Sequence, residues 1–127
     1  MPIENKQMPD NPNIIVSTAT DPIDLSSDPQ KSLGELQAML ASTKGTAHLI
    51  VDCLGVHPGF SDIVIGMATS SADPNSPLRS ERLKTVIVAE GKIFESMVVW
   101  FKQGNYGQLD MPLFKTVDEA IKFVKKG

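Results

Sequence analysis

Cys53 is the only thiol in the 127-residue chain. A lone cysteine excludes an internal disulfide and fits a reducing, cytoplasmic compartment. Long apolar runs are also missing. None approaches the roughly 18 residues of a membrane span, so no membrane insertion is expected. The opening stretch, MPIENKQMPDNPN, lacks the apolar core of a signal peptide. There is no dense basic block. The net charge of −3 and the pI of about 5.3 argue against an electrostatic partnership with nucleic acid or an anionic membrane. One cysteine and two histidines give too few ligands for zinc at any usual spacing unless carboxylates complete a site, so no metal is expected. Neither G-x-x-x-x-G-K-[ST] nor G-x-G-x-x-G after a strand occurs, so no nucleotide cofactor is expected. Ser17-Thr18-Ala19-Thr20 lacks the acidic pair of a phosphorelay receiver.

What remains is an ordinary globular composition, 41% hydrophobic and 21% charged. A chain of this size forms one domain and buries enough surface to fold without a disulfide or metal. Charge is uneven along it. Residues 1–62 carry three lysines against eight carboxylates, a net −5; residues 63–127 carry nine basic groups against seven acidic, a net +2. Lys122, Lys125 and Lys126 fall in the last turns of a predicted helix, where cations complement the helix dipole.

Residues 1–12 are polar, hold Pro2, Pro9 and Pro12, and read as a flexible arm ahead of a single domain over 13–127. Asn13 to Thr18 is β-branched and short, a first strand. Asp21-Pro22 signals a turn. Asp28-Pro29 opens a helix whose apolar positions Leu33, Leu36, Met39 and Leu40 recur at helical spacing, and Ser32 to Glu35 offers a second start with capping-box spacing. Ala47 to Leu54 is a nearly continuous apolar run, the signature of a strand buried on both faces. Gly55 to Gly59 is a loop. Phe60, Ile63, Val64, Met67 and Ala68 then fall at helical spacing with Ser61 as N-cap, a helix favoured over the strand that β-branched Ile63-Val64-Ile65 would also suit, followed by a loop over Ser70 to Pro77.

Leu83 to Ala89 is the third strand. Gly91 to Gln103 is a helix with Phe94, Met97, Val98 and Phe101 on one face, ended by Gly104 to Gly107. Met111 to Phe114 is a short strand. Thr116 to Glu119 has the spacing T-x-x-E ahead of the apolar face Val117, Ala120, Ile121 and Val124. The expected fold is α/β, β-α-β-α-β-α-β-α, with a four-stranded, mostly parallel sheet covered by helices.

In open α/β sheets functional groups gather beyond the carboxyl ends of strands. Those positions are Thr18–Asp21, Cys53–Ser61, Ala89–Lys92 and Phe114–Thr116. The loop Asp52 to Asp62 is the richest, with a carboxylate, a thiol, an imidazole and a hydroxyl. A Cys53–His57 nucleophile pair would need an activated thiolate. Cys53 instead ends an apolar strand, where a free cysteine acts as a small hydrophobe. Ser61 suits a helix cap. It also suits a phosphosite, since phosphate there would meet free N–H groups and the positive dipole end.

Val51-Asp52, then Gly55-Val56, then a serine opening a helix at Ser61, form a frame. With the strand Thr85–Ala89, the helix from Lys92 and the closing Phe114-x-Thr116-x-Asp118-Glu119-Ala120, it resembles the STAS superfamily (sulfate transporter and anti-sigma factor antagonist domains). Within that superfamily the chain looks more like the divergent SpoIIAA-like family. The likeness covers about residues 13–126, chiefly as a pattern. It implies a regulatory module. Antagonists of that family carry D-S-x-G at the helix start, and a kinase-like anti-sigma factor phosphorylates the serine. Ser61 matches that serine, whereas Phe60 and Ile63 replace the aspartate and the glycine. Those departures favour a module without the phosphoswitch.

The leading expectation is therefore a non-catalytic module that binds a protein partner through Asp52, Gly55, His57, Gly59, Ser61 and Asp62, with Ser61 a candidate phosphosite. The alternative is a carrier or sensor of a small apolar ligand, held between Phe94, Met97 and Phe101 and Phe60, Ile63 and Met67. A third reading is a small enzyme drawing on His57, Asp52 and Asp62.

Overall fold

The computed structural model describes residues 3–21, 28–57, 82–102 and 111–126. They form one mixed sheet with helices on both faces. In chain order the elements are β1 (Ile3–Met8), β2 (Asn11–Thr20), α1 (Asp28–Ala41), β3 (Ala47–Gly55), β4 (Leu83–Val88), α2 (Lys92–Phe101), β5 (Leu113–Phe114) and α3 (Val117–Lys126). The strands lie in the sheet in the order of the sequence, β1-β2-β3-β4-β5. β2 to β5 are parallel neighbours, and β1 runs antiparallel to β2.

The α/β class and the parallel set of four strands match expectation. The strand count does not, because the expected flexible arm over 1–12 contains β1. Its inward side chains are Ile3, Asn5 and Gln7, so it lacks the apolar alternation that marks a strand. Asn5 is nevertheless buried. Ser17 Oγ donates to Asn5 Oδ1 at 2.6 Å, and Asn5 Nδ2 donates to Ser32 Oγ at 3.1 Å and reaches Glu35 Oε2 at 3.5 Å. A buried amide is tolerated when its hydrogen bonds are met, and here β2 and α1 meet them. The Ser32/Glu35 spacing thus serves this network, while the helix itself starts at Asp28.

Pro9 and Pro12 fit the strands. Pro9 sits in the turn between β1 and β2. Pro12 lies where the β1–β2 register shifts, so its missing N–H breaks no ladder.

Crossovers that all step the same way across a sheet, each right-handed, put their helices on one face. α1 packs on Ile15, Ala47, Leu49 and Leu83, and α2 on Ala19, Ile87 and Ala89, all odd-numbered and on the same face. α3 covers the opposite face through Ala120 and Val124 against Ile14, Ile50, Val86 and Val88. Ile14, Ile15, Leu49, Ile50 and Val88 are all but fully buried. Double-sided cover is why β3 and β4 read as continuous apolar runs.

The amino end of the sheet is tied by hydrogen bonds. Arg82, just before β4, gathers carbonyls left open by the end of α1. Its Nη2 donates to Thr43 O at 2.7 Å and Leu40 O at 3.3 Å, and its Nε donates to Gly45 O at 3.1 Å. A guanidinium at a helix C-terminus satisfies both the orphan acceptors and the dipole. Asn13 Nδ2 holds the same loop through Lys44 O and Thr46 O. At α3 the T-x-x-E reading holds: Thr116 Oγ1 accepts the Glu119 N–H at 3.1 Å.

Candidate functional site

The carboxyl edge of the parallel strands is built around the end of β3. Thr18 pairs with Asp52, but Thr20 pairs with Gly55, so β3 carries one extra residue there. Such a bulge re-aims the side chains that follow it. Asp52 Oδ1 accepts the Leu54 N–H at 3.0 Å, and Val56 N–H donates to Cys53 O at 3.2 Å. The turn sends Val56 into the core with Ala19, Ile87 and Phe94. It leaves Leu54 44% exposed, one of the few large apolar side chains described at the surface.

Gly55 sits at a close approach. A Cβ there would lie 3.0 Å from Ala19 O and 3.3 Å from Thr20 Cγ2, so a larger residue would push the two strand ends apart by a few tenths of an ångström. That closeness lets the Asp21 N–H donate to Gly55 O at 3.2 Å. The Asp21 carboxylate then clasps the chain beyond. Its Oδ2 accepts the His57 backbone N–H at 3.1 Å and stands 3.2 Å from His57 Nδ1. The His57 side chain is 83% exposed and that of Asp21 48%.

Cys53 packs as a small apolar group against the cluster of Ala19, Ile87 and Phe94. Burial, with the neighbouring Asp52 charge adding to it, pushes its thiol up to about 12. A thiol held that high supplies no thiolate at neutral pH. At the other end of β3, His48 pairs in register with Lys84. Burial and then the Lys84 charge lower its pKa below the usual 6.5.

Of the expected site residues, Asp52, Gly55 and His57 stand together at this edge. Gly59, Ser61 and Asp62, with the expected helix over 60–70 and the loop after it, lie outside the described residues. The pairing of His57 is not with Cys53 or Asp52 but with Asp21, a residue read as a turn former and placed among the carboxyl-end positions Thr18–Asp21, though not among the site residues. Of the residues expected to line an apolar pocket, Phe94 and Met97 are buried against the sheet.

Among the described residues no group of His, Cys, Asp and Glu could hold a metal ion, and no helix is long and apolar enough to cross a membrane. Compared with family models, curated proteins and solved structures, the chain matches none.

Proposed function

We propose that the chain is a non-catalytic regulatory module that engages a protein partner through the carboxyl edge of its sheet, around Leu54, Gly55 and His57. The observation that carries this reading is the turn over Cys53–His57. It buries Val56 and half-buries the Cys53 thiol while holding an exposed apolar side chain and an exposed imidazole outward. An apolar anchor beside a polar group on a hydrogen-bonded turn is the kind of surface that protein partners use. The resemblance to SpoIIAA-like domains points to the same edge, where Ser61 takes the place of the family's phosphosite while Phe60 and Ile63 depart from its motif.

A photo-crosslinking residue placed at position 54 in the native host tests the reading. One discrete protein adduct is expected. Asp21→Ala should weaken it, because it removes the whole clasp; His57→Ala should weaken it by removing the exposed imidazole while the backbone hydrogen bond to Asp21 stays; and Ser61→Asp should weaken it if the serine is a switch. A retained small molecule in native mass spectrometry, without a protein adduct, would replace this reading with that of a ligand carrier.

A further inference from the structure

β1 is the edge of the sheet, with β2 as its only described neighbour. An edge strand presents a row of backbone N–H and C=O groups able to pair with another strand. This edge is long for its position, six residues from Ile3 to Met8, and has no proline inside it. The register shift that distorts the hairpin falls only at its far end, between Gln7 and Met8.

Charged side chains usually guard such edges, and here Glu4 and Lys6 occupy that role. They lie two residues apart on one face, away from α1, paired at 3.1 Å and well exposed. Their order makes the strand complementary to itself. In a twofold antiparallel pairing centred on Asn5, Glu4 of each copy stands opposite Lys6 of the other. The pairing also sets Ile3 opposite Gln7 and Asn5 opposite Asn5. The neighbouring registers that keep the faces matched set Glu4 against Glu4 or Lys6 against Lys6, and like charges directly opposite are destabilising. A one-residue slip would turn each strand's faces over. On the α1 face, Asn5 already spends its hydrogen bonds within its own chain, so pairing leaves no buried amide unmet.

We propose that this edge is a self-association surface: two copies join β1 to β1 in the Asn5-centred register, extending one sheet through both molecules. The occupant is a second copy because the charge order selects itself. The contact is short compared with the ~800 Å² per partner of a standard interface, so the dimer is weak and concentration-dependent.

Sedimentation velocity of the full chain across the micromolar to millimolar range tests this. A monomer–dimer equilibrium is expected. Glu4→Lys or Lys6→Glu alone should weaken it roughly tenfold or more, since each creates two like-charge pairs. The double variant Glu4→Lys/Lys6→Glu should restore it. Both positions are exposed, so circular dichroism should show all three variants folded. A monomer at every concentration would overturn the proposal. So would a dimer indifferent to the single reversals, or one the double exchange fails to restore.

Discussion

The two ends of the sheet are built differently. At the amino end the loop after α1 is held by Arg82, Asn13 and the Thr43 hydroxyl, which between them take up the Leu40, Thr43, Lys44, Gly45 and Thr46 carbonyls. At the carboxyl end one carboxylate, Asp21, holds His57, and the side chains of Leu54 and His57 face solvent. The first arrangement spends polar groups on closing the fold. The second spends backbone precision, through Gly55, on presenting side chains. Scaffold and display thus separate along the strand direction, as they do in open α/β sheets generally.

Gly55→Val should break the carboxyl end most severely. Its branched side chain would meet Ala19 O, a backbone atom that cannot swing away, and the overpacking should cost about 3 kcal/mol. A urea midpoint close to that of the unchanged chain would show that the strand ends can part freely. Arg82→Met should loosen the amino end by a smaller amount, about 1.5 kcal/mol, because water can reach some of the released carbonyls. Hydrogen exchange would localise the loss to the last turn of α1 and residues 42–46, leaving the carboxyl edge protected.

The pH dependence sharpens the contrast with the smallest effect. The folded state disfavours the protonated form of His48, so the unfolded chain binds more protons below about 6.5. Stability should fall as pH drops through that range, and His48→Gln should flatten the slope. Cys53 works in the other direction. Its thiol is raised from 9.0 to about 12, so the folded state holds the proton longer, and stability should be lost as pH climbs above 9. Chemical denaturation at a series of pH values reads both limbs.

Much of this architecture was legible because apolar residues had to be where they are. β3 and β4 announced themselves as strands covered on both faces, and α3 through a hydroxyl and an apolar stripe within nine residues. β1 was hidden because its inward face is satisfied by hydrogen bonds instead of oil. The partners of Asn5, Ser17 and Ser32, stand 12 and 27 residues away. Local patterning carries no trace of such distant matches. The carboxyl edge behaved likewise: its location followed from topology, whereas Asp21 and His57, 36 residues apart, meet only because β2 and β3 are neighbours.

The unbroken order of the strands has a consequence for how the chain is made. Each described strand pairs with the described strand before it in the sequence, so on leaving a ribosome it finds that neighbour already synthesised. Among the described strands the hairpin of β1 and β2 precedes the others, and that sheet widens in one direction as translation proceeds. Among the described strands β2 to β5 none waits, uncovered, for the described neighbour on its β1 side, which limits the time that sticky edges spend exposed.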